Sequence, residues 1–411
     1  MNRFTSCMVL YLSALYLFAC NNEGQNDQQA TNDSTFAKGT YGYDASFLKQ
    51  HPGDIVELKD GDSRVLVSGD YQGRVFTSTA AGNTGTSFGW INYGLLSSAQ
   101  KKKQFNPVGG EERFWIGPEG GQYSVYFNEG DSFNITHWQV PPIIDTVKYI
   151  LQHSDSNSAT FGISSIITNY SGTQFNIDIT RKIKLLNKDS LASKLSMHIP
   201  DGIKSVGYET INQIKNTGTS SFKKDSGLLS IWLLGQFMPT EQTKVIVPFS
   251  PIENAKNFIT DDYFGKIDPS RLKVTDSVLY FRCDGKSRGK LGLKPIVAKP
   301  FACSYDFKRN VLTILIPEVH KNAMYVNSKW ELQKEPYNGD VINSYNDGPL
   351  TDGLQLGPFY EIESSSPVYE LKPGEVEEYR QTTIHLQGNY ESLKALLQTL
   401  INVNLDDVKN W

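Results

Sequence analysis

Short runs of alternating apolar and polar residues dominate the chain. In IDITRKIKLL, Ile177, Ile179, Ile183 and Leu185 alternate with Asp178, Thr180, Lys182 and Lys184, which is the period of an antiparallel strand with one buried face. Arg181 interrupts the apolar side, so that side is expected to reach a polar cleft. The alternation recurs in SRVLVSG, GRVFTST, SVLYFRC, VLTILI and TTIHLQG, with Gly, Asp, Asn and Pro between the runs. Only the tail has a clear helical period: in NYESLKALLQTLI, Leu393, Leu396, Leu397 and Leu400 recur at helical spacing behind Asn389, a suitable N-cap. The pattern predicts an all-β protein with a short C-terminal helix.

The N-terminus departs from this pattern. MNRFTSCMVLYLSALYLFAC carries one early positive charge, Arg3, then an apolar run from Met8 to Phe18, the plan of a secretory signal peptide too short to remain as a membrane span. Its end, Leu17-Phe18-Ala19-Cys20, resembles a bacterial lipobox, so residues 1–19 are read as a lipoprotein signal peptide and Cys20 as the lipidated residue. The polar stretch 20–35, with no aliphatic residue larger than Ala, is a tether. Beyond it no second linker or repeat interrupts residues 36–411, which are read as one domain. The expected location is the cell envelope, lipid-anchored, on the outer membrane.

Composition narrows the function classes. With 39% hydrophobic and 20% charged residues and a net charge of -4, the chain has the makeup of a folded domain, and neither nucleic acid nor an anionic membrane face is an expected partner. Cys283 and Cys303, the only other cysteines after Cys20, are either bridged or two buried thiols. There is no GxSxG elbow, HExxH motif or P-loop, so hydrolase, zinc-protease and nucleotide-binding readings lose their usual support.

Three stretches gather residues suited to gripping a polyol. In GGEERFWIGPEGG, strand alternation puts Arg113 and Trp115 on one face and Glu112 and Phe114 on the other, with Glu119 beyond a turn. An aromatic plate beside a guanidinium suits a sugar-binding wall, and the glycine pairs are expected to bring backbone close to ligand. In PFYEIES, Phe359, Glu361 and Glu363 share a face, so two carboxylates stand about 6–7 Å apart at ~3.3 Å per residue. Either could be a general base. His137 and Trp138 place an imidazole beside a second plate. YNGDVINSYNDGP offers Asp340, Asn343, Tyr345 and Asp347. No metal or other cofactor is expected. Calcium held by those loop oxygens is the weaker alternative, since the spacing is not that of an EF-hand. Lys290, Lys294 and Lys299 are read as solvated, and the bland alternative for each stretch is an exposed strand edge or a turn.

The segment FYEIESSSPVYELKPGEVEEYRQTTIHLQG, 359–388, resembles the C-terminal part of the aldose 1-epimerases, or galactose mutarotases. Leu371, Pro373, Gly374, Glu375, Tyr379 and Thr382-Thr383 stand in that family's order. GGEERFWIGPEGGQYSVYF, NTGTSSFKKDSGLLSIWLLGQFMP and YNGDVINSYNDGP are similar to bacterial lipoproteins that carry a mutarotase-like domain. The resemblance implies a β-supersandwich of large twisted antiparallel sheets with a sugar in its concave face. It implies a glutamate base, Glu363 or Glu361, and a histidine acid. SIWLLGQFMP, the stretch matching the family's histidine segment, contains no histidine, which leaves His137 as the imidazole able to approach from another strand. The expected function is therefore carbohydrate binding by a cell-envelope lipoprotein, with an epimerase or other sugar-modifying enzyme as the alternative and a structural or protein-interaction lipoprotein as the third. Two carboxylates on one strand do not suit glycoside hydrolysis, in which they flank the bond.

Overall fold

The computed structural model describes residues 35–51, 53–98, 100–350 and 353–411. The signal segment 1–19, Cys20 and the tether as far as residue 34 lie outside the described residues. Among the described residues, no helix is long and apolar enough to cross a membrane.

Antiparallel strands build three sheets of ten, six and three strands. The ten-stranded sheet runs in the order 272–274, 278–282, 243–248, 302–306, 311–317, 376–387, 204–216, 174–185, 158–168, 150–154. The six-stranded sheet runs 259–260, 289–293, 342–346, 360–365, 230–237, 113–117. A smaller sheet, 55–60, 63–68 and 74–79, stands beside them. The expected strands are present, and all of IDITRKIKLL but its last residue, Leu186, falls within Gln174–Leu185.

Alternation decides which side of each sheet enters the sandwich. In the six-stranded sheet Phe114, Ile116, Ile231 and Leu233 point inward against Ile177, Ile179, Ile214 and Tyr208 of the large sheet. Leu291, Leu293, Ile342 and Ile362 meet Val245, Val247, Leu279 and Leu315 farther along. Each fully buried aliphatic chain of this kind contributes about 1.5–3 kcal/mol. The large sheet's outer face is covered at one end by helices Lys188–Leu195, Tyr390–Ile401 and Leu405–Lys409. Asn389 caps Tyr390–Ile401 by accepting from the Ser392 N–H at 2.9 Å, and Leu393, Leu396 and Leu397 are buried. A ten-residue helix, Tyr41–Gln50, was not legible in the sequence; Thr40 makes no side-chain cap bond, and Tyr41, Ala45 and Leu48 pack on Leu66 and Phe76.

Arg181 does not reach a cleft. It is sealed inside the sandwich, where its Nη2 donates to Glu112 Oε1 at 2.9 Å and its Nη1 to Asn212 Oδ1 at 2.7 Å. Gln381 donates to the other Glu112 oxygen at 2.8 Å. Glu111 belongs to a neighbouring interior network, with His385 Nε2 at 3.0 Å and Ser78 Oγ at 2.9 Å. Burial of charge is tolerated here because each carboxylate oxygen has a partner. Cys283 and Cys303 are separate buried thiols.

Candidate functional site

The outward face of the six-stranded sheet is the floor of a cleft of 880 Å³, with a narrower chamber of 130 Å³ against the floor. Register alone assembles that floor. Arg113 lies opposite Leu234, and Trp115 opposite Trp232. Glu361 is flanked by Gln236 and Tyr345, and Glu363 by Leu234 and Asn343. Lys290 stands beside Tyr345. Opposite residues in antiparallel strands share a face, so residues far apart in sequence converge without any loop to carry them.

Two buried ion pairs hold the floor. The Arg113 guanidinium donates to Glu361 and lies over the Trp115 ring, 4.7 Å from its centroid. Lys290 Nζ donates to Glu363 Oε2 at 2.9 Å and sits 4.8 Å from the Trp232 ring centroid. The Trp232 indole N–H donates to that same oxygen at 3.0 Å, while Glu363 Oε1 has no protein partner. Both carboxylates face the same way, as alternation requires, but their surroundings differ. Glu361 lines the chamber, and Glu363 is covered by Lys290 and Trp232.

Glu119 joins them from the loop after strand 113–117, lining the cleft with Trp138 and Trp330. Trp138 and Trp330 stack with centroids 6.0 Å apart, and Trp115 meets Trp232 edge-on at 5.5 Å. Burial pushes the Glu119 carboxyl up to about 7, against the pull of Lys290 and with Glu363 adding to the rise. Burial also raises Glu361, opposed by Arg113 and reinforced by Glu363. Lys290 is raised, because Glu363 and Glu119 outweigh its desolvation. The floor thus offers carboxyls raised by burial, the Arg113 and Lys290 cations and the Trp115 and Trp232 indoles, with Trp138, Trp330 and Arg288 beside them.

Of the residues singled out in the sequence, Arg113, Trp115, Glu119, Trp138, Tyr345, Asp347 and Glu361 line this cleft. Tyr345 donates its hydroxyl to Asp347 at 2.6 Å. Asp340 and Asn343 lie behind Tyr263, whose hydroxyl donates to Asp340 at 2.7 Å. Asn343 donates to the Leu291 carbonyl at 3.2 Å. His137 is exposed on a turn, its ring at the Ser132 carbonyl, and does not line the cleft. Among the described residues, no group of three or more His, Cys, Asp or Glu side chains is placed to hold a metal ion.

The glycine pairs also serve another purpose than the one expected of them. Gly109 has φ +97°, and a Cβ there would fall 2.1 Å from the Trp90 carbonyl. A Cβ on Gly120 would fall 2.3 Å from the Lys329 carbonyl. Close approach is to the protein's own backbone in both cases.

Lys290, Trp232, Tyr263 and Trp330 were missed. Lys290 was read as solvated, although GKLGL alternates and could have placed it on the outward face. Its acidic partner, Glu363, lies 73 positions away.

The fold is similar to that of a candidate aldose 1-epimerase of Escherichia coli K12, at 10% identity and a TM-score of 0.48, over 82% of this chain and 99% of that one. It is similar too to a galactose mutarotase-like protein of Lactobacillus casei, at 10% identity and a TM-score of 0.47, over 81% and 100% of the two chains. No curated protein matches the sequence. Over residues 39–411 the chain matches the model of DUF6786, a family of unknown function, and it belongs to that family.

Proposed function

We propose that the cleft binds carbohydrate, and that the protein does so in the cell envelope, anchored through a lipid on Cys20. The observation that carries the sugar reading is the floor itself: Arg113–Glu361 and Lys290–Glu363 set between Trp115 and Trp232, with Trp138 and Trp330 as a wall. A pyranose presents an apolar C–H face and a rim of hydroxyls. Indole plates take the first, and charge-assisted hydrogen bonds take the second. The anchor rests on the LFAC signal and the polar tether that follows it.

A second reading, sugar modification by proton transfer, is favoured by one observation. Glu119 titrates at about 7 while facing the same cleft as Glu361, the condition in which a carboxyl serves as acid or base at neutral pH. Calorimetry against a panel of mono- and oligosaccharides tests the binding. A saccharide that binds the unmodified protein is expected to lose at least tenfold in affinity with Glu361→Gln and with Trp330→Ala. Unchanged affinity in both variants refutes the sugar reading. Anomeric exchange of the bound sugar, followed by proton NMR, separates binding from catalysis.

A further inference from the structure

Of the thirteen large hydrophobic side chains exposed among the described residues, five line this one cleft: Ile135, Phe264, Leu350, Leu354 and Leu356, each 40–62% exposed. Isolated exposed apolar residues are ordinary, whereas their concentration around one concavity marks a binding surface. They are also ordered by depth. Ile135, Phe264 and Leu356 line both the inner chamber and the outer cleft, while Leu350 and Leu354 line only the outer part. The ion pairs are on the floor. The mouth carries charge as well: Lys102, Lys103 and Glu331 are exposed there, Lys329 pairs with Asp262 at 3.3 Å, and the Arg288 guanidinium lies over the Phe264 ring at 3.7 Å.

From this clustering of exposed apolar side chains we infer that the ligand is a glycoside with an apolar aglycone, its sugar on the floor with the two ion pairs and its alkyl or aryl group against the Ile135, Phe264 and Leu356 rim. The inference rests on the carbohydrate reading and adds the class of substituent. A free sugar small enough to use only the inner chamber would leave the outer 880 Å³ and its apolar side chains to water. An aglycone running outward covers them, and the sugar's polar groups stay where the donors and acceptors are.

Pairs of glycosides that differ only in the aglycone test this. Methyl, n-octyl and phenyl glycosides of a panel of hexoses, the octyl compounds below their micelle concentration, are titrated into the unmodified protein, Ile135→Ser, Leu356→Ser and Glu361→Gln. For the sugar that binds, the octyl or phenyl glycoside is expected to bind at least tenfold tighter than the methyl one, the effect of about two buried methylenes. Ile135→Ser and Leu356→Ser, both at exposed positions, should shrink the ratio of octyl or phenyl to methyl glycoside affinity, and an unchanged ratio in both would overturn the aglycone. Glu361→Gln should weaken all three. A gain from octyl alone identifies a lipid-like aglycone, and a gain from phenyl alone an aromatic one. Methyl glycosides that bind as well as the others overturn the aglycone and leave the sugar reading standing. Failure of every glycoside to bind overturns both.

Discussion

Replacing Glu119 by Gln should change how stability depends on pH, because this carboxyl holds its proton in the folded protein over a range where the unfolded chain has lost it. Its ordinary value is 4.5 and its folded value about 7, burial being the main cause. Between those limits the folded state binds one more proton than the unfolded state, so stability falls as pH rises. At 1.36 kcal/mol per pH unit the interval amounts to at most about 3 kcal/mol. Below pH 4.5 both states are protonated, and above about 7 both are ionised, so the contribution is flat outside the window. Glu119→Gln keeps the shape and a neutral hydrogen-bonding group but has no proton to lose. Any change in contacts with Trp138, Trp330 or Lys290 adds an offset, and the titration is read from the slope. Urea unfolding of both proteins at half-unit steps from pH 4 to 8.5 measures it. The variant's stability relative to the unmodified protein should climb by about 2–3 kcal/mol from pH 4.5 to 7 and then level off. Two curves that stay parallel throughout would refute the reasoning.

Other outcomes follow from the same geometry. Arg113→Lys should weaken binding of a bound saccharide by about 1–2 kcal/mol, measured by calorimetry, since an ammonium cannot reproduce the planar fork. It should also lower stability by a similar amount, because Arg113 is only 2% exposed and gives up its stacking on Trp115. In Gly292→Ala the new Cβ would fall 2.0 Å from Asp340 Oδ2 and 2.6 Å from Asn343 Nδ2. Thermal and urea denaturation should register a loss of about 1–3 kcal/mol as the Asp340–Tyr263 bond is displaced, and a neutral variant would show that the cluster yields freely. For the anchor, Cys20→Ser should abolish partitioning into the detergent phase, and unchanged partitioning would count against lipidation.

Much of the site's lateral arrangement was legible before any fold was known. A strand turns alternate residues to opposite sides whatever surrounds it, so Arg113 with Trp115, and Glu361 with Glu363, had to share faces. The same rule applies to Lys290, but its environment was misjudged, because a lysine's average exposure says nothing of a particular lysine with a carboxylate across the sheet. Arg181 shows the converse. Its place on an apolar face was plain, but whether that face met solvent depended on Glu112, which folds against it from 69 positions away.

Local alternation, caps and turn residues determined that this chain forms antiparallel strands and a leucine-faced C-terminal helix, since those preferences act over a few residues. Which faces met, and hence which charges were paired, sealed or left lining a cleft, was decided only by the tertiary structure. Pairing brings strands 113–117, 230–237, 289–293, 342–346 and 360–365 into one sheet. Burial then acts through the neighbours that sheet supplies. Glu363 is covered because Lys290 and Trp232 arrive from two other strands, and Glu119 is pushed up to about 7 because burial, with Glu363 adding to it, outweighs the pull of Lys290 and the hydrogen bonds of Trp138 and Trp330.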